Sequence, residues 1–233
     1  MTTVSCSGQS FVIQLETALH RLVESFWEEP YRFFTEADAV VGLQSWVAKR
    51  PELAQTLRTA DDFETNLLHR EYPTFFRFSQ SEPDQRRERP ARRGHYDLVL
   101  LDPNYIRHHN AETITNRSIA DRGTVARPPL LAAVEFKLFT GGWNKSRVHS
   151  VKQNLGKLRL ALESPADADA AYLCILKRAV RTREYLRERG WPAVEAMLAE
   201  YADIRAVVAV WWPEQGQDPL VHYSGPWITV VTE

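Results

Sequence analysis

The most apolar run of the chain is interrupted by two charges. In Leu130-Leu131-Ala132-Ala133-Val134-Glu135-Phe136-Lys137-Leu138 an acid and a lysine stand two positions apart, just after Pro128-Pro129. The run reads as a buried strand, and alternation puts Val134, Phe136 and Leu138 on one face and Glu135 and Lys137 on the other. The two charges then lie about 7 Å apart along that face. Burying either alone costs several kcal/mol, so the pair calls for a partner, a metal ion or a wet cleft. A second apolar run, His95-Tyr96-Asp97-Leu98-Val99-Leu100-Leu101-Asp102-Pro103, carries another acid near its start. Two carboxylates and an ammonium suit metal-dependent phosphodiester hydrolysis. Mg²⁺ prefers carboxylate, carbonyl and water oxygens, and a metal-bound water of lowered pKa is a nucleophile. A lysine on the same face steers that water or offsets charge in the transition state.

Each residue also has a plainer reading. Glu135 and Lys137 would make an ordinary solvent-facing ion pair on an edge strand, but the five residues before Glu135 are all apolar, as in a strand covered on both faces. Asp97 would cap a turn after Arg93-Gly94-His95, but it falls inside a Tyr-Asp-Leu-Val-Leu run. Glu36 opens a helix, where the dipole favours an acid without any function. Asp102, before Pro103, reads as a turn residue. His108-His109 has no acid at ligand spacing and reads as surface.

The elements that must position these residues follow from periodicity. Val12, Leu15, Leu19, Leu22 and Phe26 mark an amphipathic helix that Pro30 ends. Thr35 reads as an N-cap with Asp38 as its capping-box partner, for a helix running toward Ala48. Pro51 starts a short helix, and Asp61-Asp62 is expected to open another. Residues 67–78 turn strand-like. The stretch 79–94 is polar and basic, including Arg86-Arg87-Glu88-Arg89-Pro90-Ala91-Arg92-Arg93, and reads as an exposed hairpin connection. Residues 102–129 form a long polar connection, of a length usually functional or irregular. Beyond Gly141-Gly142, the spacing of Val151, Leu155, Leu158 and Leu162 predicts a helix over 147–162. A buried strand follows over 170–177. Next comes a helix capped by Thr182, interrupted at Gly190-Trp191-Pro192 and ending near Tyr201. Strands over 204–212 and 227–231 close the chain. The expected class is α/β: a mixed central sheet flanked by helices, in one domain spanning 1–233, without internal repeat or linker.

The totals limit the function classes. With 44% hydrophobic and 25% charged residues, the 233-residue chain is ordinary for a globular protein. A net charge of −1 gives no overall pull toward nucleic acid, so any such surface must be local. Cys6 and Cys174 have no zinc or iron–sulfur spacing and fit a reducing, cytoplasmic setting. No signal-peptide pattern is expected at the N-terminus. No apolar run approaches the roughly 20 residues of a membrane span.

Glu36, Asp97 and Glu135-Phe136-Lys137, in that order, resemble the PD-(D/E)XK nuclease superfamily. The α-β-β-β-α-β succession over 36–177, with N- and C-terminal additions, resembles its restriction-endonuclease-like core (about 33–178). Tyr96 stands where the motif name has proline, and the long interval from Asp97 to Glu135 implies an insertion. The resemblance implies that Asp97, Glu135 and the Phe136 backbone carbonyl hold Mg²⁺, for which Mn²⁺ would substitute. It further implies that Lys137 is the catalytic lysine and Glu36 an auxiliary acid. Gln153 follows Lys152 in the helix where related nucleases place a further polar residue.

From Phe136 to Leu162 the chain has no acid, and Lys145, Arg147 and Lys152 fall just past the Glu135 strand, near an incoming phosphate backbone. Arg92 and Arg93 end the arginine-rich stretch, either a nucleic-acid arm or a solvating loop. Trp143 reads as a base-stacking or a buried ring. The expectation is a metal-dependent nuclease acting on DNA. The alternative is a non-catalytic nucleic-acid-binding or scaffold subunit that keeps the fold. No separate recognition segment is visible, which leaves room for a homodimer or a targeting partner protein.

Overall fold

The computed structural model describes residues 6–77, 93–116, 129–163, 167–179, 191–212 and 220–228. Helix α1 (Cys6–Glu28) buries Val12, Leu15, Leu19, Leu22 and Phe26, the predicted stripe. Pro30 does not continue it but opens a three-residue 3-10 turn. Helix α2 (Glu36–Val47) starts on the predicted capping box. Asp38 N–H donates to Thr35 Oγ1, and Thr35 N–H donates to Asp38 Oδ2 at 2.7 Å. Two orphan donors are thereby satisfied, which fixes where the helix begins and where Glu36 stands. Helix α3 (Pro51–Ala54) begins at its proline.

The expected helix at Asp61-Asp62 does not form. These residues make the turn between β1 (Thr56–Arg58) and β2 (Glu64–Asn66), an antiparallel pair. Asp61 accepts the Thr59 hydroxyl at 2.6 Å, and Asp62 takes φ 67°, a left-handed conformation that no α-helix tolerates. Side-chain-to-backbone competition, for which Asp is well suited, decides the matter.

The central sheet has six strands in chain order: β3 (Leu68–Arg77), β4 (Arg93–Leu101), β5 (Leu130–Thr140), β6 (Ala171–Arg178), β7 (Arg205–Trp211) and β8 (Leu220–Ser224). Strands β3, β4 and β5 pair antiparallel, β5, β6 and β7 parallel, and β8 antiparallel to β7. Parallel neighbours need crossovers, supplied in part by α6 (Lys145–Leu162) and α7 (Trp191–Glu200). The protein is therefore a mixed α/β structure, its sheet flanked by helices. Strand β5 lies inside the sheet, with residues 130–136 all buried, as its near-continuous apolar run requires.

Of the expected last strand over 227–231, residues 229–231 lie outside the described residues. Strand β8 covers Leu220–Ser224, and Trp227 lies beyond it, packed on His20, Tyr172 and Tyr223. Gly225, at φ 85°, and Pro226 end the strand before the tryptophan. The long connection after β4 holds two short helices, α4 (Pro103–His108) and α5 (Ala111–Asn116). Asp102 is the N-cap of α4, accepting Asn104 N–H at 2.7 Å. The expected arginine-rich connection and Thr182 helix start lie outside the described residues.

Helix α1 is fastened to the far end of the chain through Glu16, which is fully buried. Its carboxylate accepts Tyr172 Oη at 2.8 Å and the Ile228 N–H at 2.9 Å, with Arg205 Nε at 3.3 Å. Among the described residues, no helix is long and apolar enough to cross a membrane.

Candidate active site

The β4–β5 register sets Leu98 opposite Val134, and the paired stretch stops there. One step further Asp97 comes level with Glu135, and cross-strand neighbours share a face. Instead of continued backbone pairing, the Phe136 N–H donates to Asp97 Oδ2 at 2.7 Å. Ala133 N–H points the other way, to Ala170, so even-numbered residues of this part of β5 address β4. A residue's N–H and C=O leave a strand on the same side. The Phe136 carbonyl therefore faces the strand gap that the Asp97 carboxylate enters.

Glu135 is only 1% exposed. Lys157, from α6, brings its Nζ to 2.5 Å from Glu135 Oε1 and also donates to the His95 carbonyl at 2.7 Å. The Glu135 contact has the distance of a tight ion pair but not the direction of a good hydrogen bond, which leaves Oε1 without a well-aimed donor. Burial pushes the Glu135 carboxyl up to about 8. The neighbouring ammonium of Lys157 opposes that shift, the Asp97 charge adds to it, and Lys137 opposes it more weakly. Desolvation outweighs the ammonium, so the carboxyl holds its proton more tightly than an ordinary glutamate does.

Lys137 turns to a different partner. Its Nζ donates to Glu36 Oε2 at 2.9 Å, with the lysine side chain 12% and the glutamate 41% exposed. Glu36 is the first residue of α2, so the capping box sets the position of the lysine's partner. The expected side-by-side acid and lysine on β5 thus resolve into two separate acid–lysine pairs, each closed by a residue from a helix.

Among the described residues, no three or more His, Cys, Asp and Glu side chains converge as a metal site. The oxygen donors brought toward the gap are Asp97, Glu135 and the Phe136 carbonyl, with Glu36 engaged on Lys137. Two carboxylates and a carbonyl, one carboxylate oxygen being buried without a well-aimed donor, fit a hard divalent cation that keeps several waters.

The basic residues spread out. Lys145 and Lys152 are exposed and two helical turns apart, hence on one side of α6. Arg147 is half-buried on another side and donates to the Gly142 carbonyl. Gln153 is half-buried. Arg93 opens β4 opposite Arg77, and Arg92 lies outside the described residues. Trp143 packs edge-on against Phe139 at 5.3 Å, with its Nε1 buried. His108 Nδ1–H donates to the Asn104 carbonyl, and His109 lies on the Tyr105 ring. Cys174 is buried, which pushes its thiol up to about 12 and removes it as a nucleophile.

Lys157 and Lys177 went unassigned in the sequence. Lys157 sits one turn before the buried Ala161 and beside the buried Leu158, so a cation at the margin of an apolar stripe was the available signal. Lys177 is fully buried within β6 and donates to the Gly141 carbonyl. Burial, and secondly Arg147, lowers its pKa to about 8. No protein-family model, curated protein or solved structure matches this chain.

Proposed function

We propose that the chain is a Mg²⁺-dependent nuclease with a restriction-endonuclease-like core, hydrolysing phosphodiester bonds of DNA. The observation that carries this reading is the Asp97 carboxylate on the Phe136 N–H, in the strand gap beside the buried Glu135. Asp97, Glu135 and the Phe136 carbonyl would hold the ion, and Mn²⁺ would substitute for it. When bound, such an ion lowers the pKa of a water and offsets charge on the phosphate. As a ligand, Glu135 would be ionised. With one N–H on Glu36, Lys137 has two donors left for the attacking water or a phosphoryl oxygen. Glu36 holds Lys137 extended, as a positioning residue.

A second reading has its own support. Lys157 already places a cation at Glu135, and Glu36 already takes Lys137, so all of these charges are met without a metal. A nucleic-acid-binding subunit that keeps the fold without the chemistry would look the same. The deciding experiment incubates the protein with plasmid, single-stranded DNA and RNA under Mg²⁺, Mn²⁺ or EDTA, with Glu135→Gln alongside. Metal-dependent cleavage lost in Glu135→Gln supports the nuclease. Nucleic-acid binding without cleavage in any metal supports the scaffold.

A further inference from the structure

The C-terminal ends of the parallel strands carry a second group of side chains, separate from the paired acids. Register puts Thr140, Arg178 and Trp211 in one row across β5, β6 and β7. The Arg178 guanidinium lies 5.3 Å from the Tyr31 ring and 6.0 Å from the Phe34 ring. Tyr31 meets Trp211 edge-on at 5.4 Å. Yet Tyr31 is 61% and Phe34 73% exposed, so two rings stand in water around a cation.

The charge at this end of the sheet is unbalanced. Among the described residues, Arg178 forms no ion pair with a carboxylate, and its Nε is buried without a hydrogen-bond partner. Exposed rings alone would fit many apolar partners. Rings gathered around an unpaired guanidinium fit a ligand that offers flat π-faces and anions together, which is the chemistry of a single nucleic-acid strand. A duplex hides its base faces in the stack, so the rings select unpaired bases. Phe34 is two residues from Glu36, the carboxylate that holds Lys137, so a strand lying on the rings passes beside that lysine.

We propose that Tyr31, Phe34 and Arg178 form a stacking platform for unpaired bases of a single-stranded nucleic acid. Only the direction of the strand toward Lys137 rests on the nuclease reading.

The test is binding of the full chain in EDTA to a fluorescent single-stranded oligonucleotide carrying 2-aminopurine, and to a duplex of equal length. Wild type should quench the 2-aminopurine and prefer the single strand. Phe34→Ala and Tyr31→Ala should each weaken single-strand affinity at least about fivefold, as for loss of a base–ring stack, with duplex affinity unchanged. Tyr31→Phe should retain the wild-type affinity. Both rings are exposed, so folding is not at stake, and thermal melting checks this. Equal losses for single strand and duplex, or no loss, overturn the platform. So does intact oligonucleotide binding with loss of self-association in sedimentation, which would assign the rings to a second copy of the chain. Single-strand binding with no metal-dependent cleavage keeps the platform and removes the nuclease reading instead.

Discussion

Lys157 reaches from α6 to within 2.5 Å of Glu135 on β5, at the carboxylate that a divalent ion would need. A bound ion would compete with the ammonium for one site. Replacing the ammonium by a neutral chain of similar length, Lys157→Met, should tighten Mn²⁺ or Mg²⁺ binding by about tenfold. That is about 1.4 kcal/mol, well below the ~4 kcal/mol between unit charges 4 Å apart near a protein surface. Titration calorimetry reads this directly. Unchanged or weaker metal affinity would mean that Lys157 helps to assemble the site rather than occupying it.

Asp97 and Glu135 need different substitutions. Glu135→Gln keeps the shape, removes a buried acid and should leave melting temperature equal or higher while abolishing metal-dependent cleavage. At Asp97, alanine would orphan the buried Phe136 N–H, a loss of about 1–3 kcal/mol. Asp97→Asn keeps an acceptor there and should fold normally without cleaving. An active Asp97→Asn protein would take Asp97 out of the metal set.

Lys137→Ala should lower turnover by about 10²–10⁴, the range for loss of a positioned proton-transfer or charge-stabilising group, with little change in DNA affinity. Glu36→Gln should lower it less, since Lys137 remains. Glu36 is 41% exposed, so its pair contributes at most about 1 kcal/mol to stability. Single-turnover rates beside binding isotherms separate the two effects, and a pure loss of affinity would move both residues to substrate binding.

Glu135 also predicts a pH dependence of stability without metal. Its folded-state value is raised to about 8 from an ordinary 4.5. Between these values the folded chain holds a proton that the unfolded chain has released. The stabilisation is complete below pH 4.5 and is lost as pH rises toward 8, by up to about 1.4 kcal/mol per pH unit. Urea melts in EDTA across this window should show wild type losing stability relative to Glu135→Gln. Parallel curves would place the titration elsewhere.

Lys145 and Lys152 share one exposed side of α6. If they meet phosphates, Lys145→Ala with Lys152→Ala should weaken DNA binding equally across sequences. The slope of log affinity against log salt should become shallower by about 0.9 per lost contact. An identical slope would mean that this side of α6 meets only water.

Much of the scaffold was legible because single segments determined it. The apolar run at 130–136 had to be covered on both faces, and Thr35 with Asp38 wrote the start of α2 in four residues. What was not legible depended on partners distant in sequence or on turn chemistry. Nothing local to Glu135 and Lys137 says that each is met by a residue of a different helix, or that Lys157 is the one at Glu135. Asp61-Asp62 carried a helix-start composition that the Thr59 hydroxyl and a left-handed backbone overrode. Trp227 had the composition of a strand but follows the glycine and proline that end β8. In the candidate site, the sequence offered Glu36, Asp97, Glu135 and Lys137 as candidates, whereas their pairing emerged only from the folded structure.

The Glu16 cluster has a consequence for how the chain is made. The acceptor lies in the first helix, and its donors, on Tyr172, Arg205 and Ile228, arrive 156, 189 and 212 residues later. During synthesis at about 5–20 residues per second, α1 emerges first with a carboxylate on the surface it must bury. It can dock fully only when the last strands are present. A ribosome-bound chain stalled before Tyr172 should therefore remain open to protease in α1, and release of the complete chain should close it.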